Sequence, residues 1–262
     1  MPGQAPGHRG FVIDGLTRTG STTLARLLSC HSNITCLIEP FHPHRYDGQF
    51  HRLAMSSPSI DPVLNLIWHR WTGIKHVWDT GTGWPFTQNP GLNDCVALKA
   101  DRVISSCRRN LLRRYVSDAI SKQLNMWIGT REEFCARLEN VQLRELDPAV
   151  VAEAIQRDRA ALQRKDALLH EHGIPTMRVF YEDLFDPDTN KEKQLELTND
   201  ILAFLGFCEL THETFAREWA RILDPNIYRW SSAEIYRSIP GVGIVEQEVG
   251  SDETGWLFRG KS

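Results

Sequence analysis

Eight residues near the start of the chain, Gly15-Leu-Thr-Arg18-Thr19-Gly20-Ser21-Thr22, carry its clearest chemical signal. The glycine spacing is that of G-x-x-x-x-G-K-[ST], a loop whose backbone N–H groups wrap a phosphate at a helix N-terminus. Serine stands where that frame has the lysine that reaches the β- and γ-phosphates of a nucleoside triphosphate, and a cation sits inside the loop at Arg18. Backbone amides, hydroxyls and a guanidinium converging on one dianion suit a phosphate-like group, but not ATP or GTP hydrolysis. A second cationic group, Arg108, Arg109, Arg113 and Arg114, follows the apolar run Val103–Ser106, with Ser117 eight positions beyond Arg109. An arginine at a strand end can fork two hydrogen bonds onto a phosphate, and a serine two helical turns on can add a third. Arg113 and Arg114 read as a solvated helix face, Arg109 as a ligand. Two anion sites without triphosphate chemistry imply a nucleotide carrying phosphates at two places.

The elements that must position these residues alternate. Phe11–Ile13 reads as a strand entering the loop, and Leu24, Leu27 and Leu28 as the apolar face of the helix that leaves it. Ile34–Ile38 is a second short apolar run, stopped at Glu39-Pro40-Phe41-His42-Pro43 by two prolines. Val96–Lys99, Val103–Ser106 and Pro175–Tyr181 read as further strands. Helices are predicted over Tyr115–Trp127, from the N-cap pair Asp147-Pro148 to Gly173, and over Glu196–Leu205. The tail beyond Asn226 has no clear period. The fold class expected is α/β: a single P-loop-type domain over 11–262, with a central parallel sheet flanked by helices and ligands at the C-terminal strand ends. Residues 1–10 read as a flexible leader. The stretch 44–94 is irregular and rich in Gly, Pro, His and aromatic residues, apart from one helix-like piece at Val63–Trp71. It reads as an acceptor-binding or lid insertion; Trp68, Trp71, Trp78, Trp84 and Phe86 could line it, but core packing explains most such aromatics and none is assigned as a wall.

Composition narrows the function classes. Lys+Arg 30 against Asp+Glu 33 gives a net charge of −3, which argues against a dedicated binder of nucleic acid or anionic membrane. No apolar run is long enough to span a bilayer. Six cysteines without a C-x-x-C suggest neither zinc nor a disulfide framework, so reduced thiols in the cytoplasm are expected. No metal site is expected.

Taken together, the loop, the Arg109/Ser117 pair and the run Phe180-Tyr181-Glu182-Asp183-Leu184 followed by Ile201–Gly206 resemble the sulfotransferases that use 3′-phosphoadenosine 5′-phosphosulfate (PAPS). The likeness runs from Phe11 to Phe207 and is similar in pattern to bacterial carbohydrate and lipid sulfotransferases. It implies that Arg18, Thr19, Gly20, Ser21 and Thr22 hold the 5′-phosphosulfate. Arg109 and Ser117 would hold the 3′-phosphate, with Tyr181 beside the adenine. It also implies in-line sulfuryl transfer to a hydroxyl of a small-molecule, carbohydrate or lipid acceptor, leaving 3′-phosphoadenosine 5′-phosphate (PAP), with no magnesium. Glu39 falls where a carboxylate base falls in some branches, with His42, His44 and Asp101 as rivals, and Lys99 is a candidate near the transferring group. Two family features are missing: Thr23 replaces a tryptophan, and only Arg259-Gly-Lys261 echoes a C-terminal clamp. A homodimer is left open. The competing readings are a P-loop kinase of a small metabolite and a non-catalytic nucleotide-binding module.

Overall fold

Strand β1 (Phe11–Leu16) is buried along its whole length, because it runs through the middle of a sheet with strands on both sides. A computed structural model describes residues 10–127, 129–186, 189–222 and 233–258. Contacts group into two compact units, Met1–Cys107 with Ala161–Glu218, and Arg108–Ala160 with Trp219–Ser262.

The first unit holds the sheet. After β1 come α1 (Ser21–Leu28), β2 (Cys36–Ile38), α2 (Gln49–Ser56), α3 (Asp61–Trp68), β3 (Gly73–Trp78), α4 (Leu92–Leu98) and β4 (Arg102–Cys107). The five strands lie in the order β2-β3-β1-β4-β5, all neighbours parallel, with β5 at Thr176–Phe180. The α/β class and the parallel sheet flanked by helices are therefore as expected. The connection after β1 leads to one side of the sheet and that after β3 to the other, so the topological switch lies at the C-terminal end of β1, where such sheets bind ligands. Valine, leucine, isoleucine and aromatic residues of β1, β3, α2 and α3 form its core, with Val12, Phe41, Leu64, Ile67, Ile74 and Phe86 fully buried.

Two expectations fail here. Val96–Lys99 is not a strand: it forms the last turns of α4, with Val96 and Ala97 fully buried. A four-residue apolar run fits a buried helix turn as well as a strand. The stretch 44–94, expected to be irregular, instead supplies β3, the strand beside β1. Its sequence, Gly-Ile-Lys-His-Val-Trp, hides a fully buried strand because Lys75 and His76 are polar, at 2% and 1% exposure. His76 Nε2 meets Asn93 Oδ1 at 3.0 Å, and burial, with Lys165 nearby, pushes its pKa down to about 3. Trp68, Trp78 and Phe86 are core residues, as expected of most such aromatics, while Trp71 and Trp84 are half-buried.

Helix α7 (Pro148–Glu171) begins in one unit by chain and ends in the other. Asp147 Oδ1 accepts from the Ala149 N–H at 2.8 Å, and Gly173 has φ 63, so both predicted ends hold. The first unit is completed by α8 (Tyr181–Phe185), α9 (Lys191–Leu205) and most of α10 (His212–Ile222). The second contains α5 (Leu111–Leu124), α6 (Arg131–Glu139), the first half of α7, α11 (Ala233–Arg237) and α12 (Val242–Val249). It has its own core, including Leu112, Val116, Ile120, Phe134 and Val245. The tail beyond Asn226 is thus helical in part, a periodicity too short to see in the sequence. Gly10, assigned to the leader, is buried against Trp68, and residues 1–9 lie outside the described residues.

Candidate functional site

The loop leaves β1 at Leu16 and re-enters regular structure at Ser21. Arg18 (φ 64) and Gly20 (φ 84, ψ 6) both adopt the left-handed region, which folds the loop back over the strand end. Gly20 is required twice over. A Cβ there would lie 2.7 Å from Cδ2 of Tyr181 and 3.1 Å from Phe185, so the two rings of α8 form a wall behind the loop. Tyr181 therefore lies against the loop at Gly20. No side chain caps α1, and its first turn carries no acidic residue, which leaves its leading amides and the positive end of the helix dipole for an anion. Thr19 plays a different part from the one expected of its hydroxyl. Its Oγ1 donates to Leu16 O at 3.0 Å and accepts from Ser106 Oγ at 3.2 Å, so the side chain anchors the loop to β4. Ser21 is buried at 4% exposure, and Thr22 is half-buried on the first turn of α1.

Beneath the loop lies a buried polar cluster. Lys165 from α7 reaches Asp14 of β1 at 2.9 Å and the Asn93 carbonyl at 3.1 Å, and its ammonium sits 4.5 Å from the Trp78 ring centroid. Trp78 Nε1 donates to Asp14 Oδ2 at 3.2 Å. Burial raises the Asp14 pKa despite the pull of Lys165. This cluster ties β1, β3, α4 and α7 together three residues before the loop.

Glu39 lies at the C-terminal end of β2, on the same sheet edge. Its N–H donates to Lys75 O at 2.8 Å, one step beyond the strand, and its φ of 52 turns the chain out of the sheet. Arg18 and Glu39 are two of five non-glycine residues with positive φ among the described residues. Strain of that kind collects at functional sites. The buried Lys75 ammonium pairs with Oε1 of Glu39, and Arg45 Nε lies 3.2 Å from Oε2. Burial alone would raise the Glu39 pKa, but Lys75, Arg45 and His42 outweigh it and hold the carboxyl below its ordinary value of 4.5. Glu39 is therefore an ionised, oriented carboxylate with 15% of its side chain exposed.

The rivals are weaker. His42 Nδ1 accepts from the His44 N–H at 3.0 Å, which places the proton of a neutral ring on Nε2 and leaves no basic nitrogen open. Burial also lowers its pKa, against the pull of Glu39. His44 is exposed. Asp101 and Lys99 sit before β4, at the N-terminal edge of the sheet, roughly 17–20 Å of strand from the edge that carries the loop. Lys99 Nζ pairs with Asp61 at 3.1 Å, both side chains being more than a third exposed. The candidate Lys99 thus lies at the sheet edge opposite the one that carries the loop. Lys99→Ala is expected to leave any activity at the loop unchanged and to cost about 0–1 kcal/mol in urea unfolding. A large loss of activity with normal stability would contradict this placement.

In the second unit, Arg109 is exposed just before α5, whose N-cap Asn110 accepts from Arg113 N at 2.8 Å and donates to Trp256 O at 2.7 Å. Ser117, on α5, is fully buried. Arg113 and Arg114 are not a solvated face. Arg113 donates to Leu257 O at 2.8 Å, and the buried Arg114 pairs with Asp158. The echo of a C-terminal clamp, Arg259-Gly-Lys261, lies outside the described residues.

Sequence reading missed Lys75, Arg45, Asp14 and Lys165. For Lys75 the signal was present: Ile74, Val77 and Trp78 around it are strand formers. The stretch 44–94 also borders a cavity of about 440 Å³ lined by His51, Arg52, Met55, Ser56, Thr87 and Gln88. The described residues contain no group of three or more metal-ligating side chains and no helix long and apolar enough to cross a membrane. The chain matches no protein-family model and has no significant match among curated proteins.

Proposed function

We propose that this chain transfers a sulfuryl group from PAPS to a hydroxyl of a small-molecule, carbohydrate or lipid acceptor. The observation that carries the reading is the loop. An uncapped, acid-free helix N-terminus follows a left-handed Arg18 and a Gly20 pressed on Tyr181, with no lysine where a nucleoside triphosphate needs one. Amides of that turn would hold the 5′-phosphosulfate, and Arg18 would meet the charge that gathers on the leaving phosphate. Sulfuryl transfer, like phosphoryl transfer, asks for positioning and charge stabilisation more than covalent help. Glu39, held ionised by Lys75 and Arg45, would take the proton of the attacking hydroxyl. The same reading places the activity in the cytoplasm, in line with six free cysteines. An acceptor screen with labelled PAPS tests it directly, and transfer to any hydroxyl compound supports it.

Arg18→Ala is expected to lower turnover at saturating PAPS by about 10²-fold, the cost of losing one charge-stabilising donor, with Arg18→Lys recovering much of it. Near-normal turnover in the alanine variant would mean that the loop holds something else. Gly20→Ala forces a Cβ into Tyr181 at a left-handed backbone, so PAP affinity is expected to fall by roughly tenfold or more while circular dichroism is preserved.

A further inference from the structure

The cavity between α2 and the segment after Trp84 has a chemistry of its own. At about 440 Å³ it falls inside the roughly 300–1,000 Å³ range of small-molecule sites, and none of its six lining residues is a carboxylate. Arg52 brings a cation, and the chain bends sharply to hold it. Tyr46 (φ 50), Asp47 (φ 52) and Gly48 (φ 66) are three successive left-handed residues, and the Asp47 carbonyl accepts from Arg52 Nη1 at 2.6 Å. A Cβ at Gly48 would lie 2.9 Å from that same nitrogen and 2.5 Å from Pro43 O, so the turn is built closely round the guanidinium. Left-handed non-glycine residues are costly and collect at functional sites. A guanidinium has five N–H donors, and one bond to a carbonyl leaves the others for an oxyanion.

The neighbouring groups ask for hydrogens rather than for charge. His51 Nε2 lies 3.2 Å from Pro85 O, which can only accept, so the hydrogen of the neutral ring is on Nε2 and Nδ1 is an acceptor. The ring stacks on Phe86 with the planes 10° apart and the centroids separated by 6.0 Å, which fixes its orientation. Ser56 Oγ gives its own hydrogen to Leu53 O at 3.3 Å, so it too is left to accept. Thr87 and Gln88, both exposed, can donate or accept, and Met55, packed against the core, supplies an apolar flank. Bare sulfate would satisfy Arg52 but brings no hydrogen for His51 or Ser56. A neutral sugar brings the hydrogens but no charge for Arg52.

We propose that this cavity binds a hydroxylated oxyanion of sugar size, a sugar acid or a sugar phosphate, with Arg52 on the oxyanion and His51 and Ser56 accepting from its hydroxyls. Thr87 and Gln88 complete the hydrogen bonding, and Met55 meets the carbon frame. Binding here needs no sulfuryl donor, so the inference is independent of the sulfuryl-transfer reading.

The test is a ligand-observed NMR titration of the full chain with glucuronate, glucose 6-phosphate, glucose and inorganic sulfate. At least one sugar anion is expected to bind roughly tenfold or more tighter than glucose and than sulfate, the margin of a charge-assisted pair. Which of the two does so separates carboxylate from phosphate. Arg52→Gln, a change at an exposed side chain, erases the margin over glucose. Arg52→Lys, which restores the charge without the planar fork, recovers part of it. Equal affinity for glucose and both sugar anions, or no binding of either anion, would overturn the proposal. So would an anion preference that persists in a folded Arg52→Gln chain, which would place the anion elsewhere, or sulfate binding as tightly as the sugar anions, which would mean that the cavity reads charge alone.

Discussion

Replacing Glu39 by glutamine is expected to slow the transfer step by roughly 10²–10⁴-fold, the usual cost of losing a positioned base, while PAP binding survives. Glutamine keeps the shape and an acceptor oxygen but cannot take a proton at neutral pH. The pH dependence carries the sharper test. With its pKa depressed below 4.5 by Lys75 and Arg45, the Glu39 carboxylate persists as pH falls and is lost only through that lowered value. The rate in the parent chain is therefore expected to stay level from neutrality down past pH 4.5 and to decline only below it. The same group contributes stability that is present above its unfolded pKa and lost as pH falls through the folded one. Single-turnover transfer from pre-bound PAPS, followed against pH with an acceptor found by the screen, measures both. An unchanged rate in the glutamine variant would remove Glu39 from the chemistry, and a decline beginning near pH 6–7 would point to a histidine such as His42.

Lys165→Met is expected to destabilise the fold by about 3–5 kcal/mol, because it leaves Asp14 buried without its counter-charge. Both partners are almost fully buried, at 3% exposure each, and the ammonium also bonds the Asn93 carbonyl. Asp14→Asn combined with Lys165→Met should recover part of the loss, since removing both charges abolishes the penalty of an unpaired one. Urea unfolding of the two single variants and the double gives the coupling. A loss below about 1 kcal/mol in Lys165→Met would mean that the pair contributes no more than a surface ion pair.

How far the sequence could be read depended on whether polar residues stayed out of the core. Strands β1, β4 and β5 are apolar enough to be seen, and glycine and proline punctuation marked the loop and both ends of α7. β3 escaped because Lys75 and His76 sit mid-strand, stabilised by Glu39 and Asn93, partners that only the sheet brings together. Without that strand in view, the apolar run Val96–Lys99 reads as a strand although it closes α4. The strand–turn–helix order around the loop was legible because the apolar runs of β1 and α1 flank a left-handed Gly20. Thr19 was not, since its hydroxyl answers to Ser106 on another strand. The ionised state of Glu39 was not legible either, because Lys75 lies on another strand and Arg45 beyond two prolines.

The most direct measurement is calorimetry of PAP binding with a metal chelator present, set against ATP with magnesium. The sulfuryl-transfer account expects PAP to bind and to raise the melting temperature without metal, Gly20→Ala to weaken that binding, and ATP with magnesium to do little. Tight ATP–magnesium binding with no response to PAP would contradict it and point to a kinase.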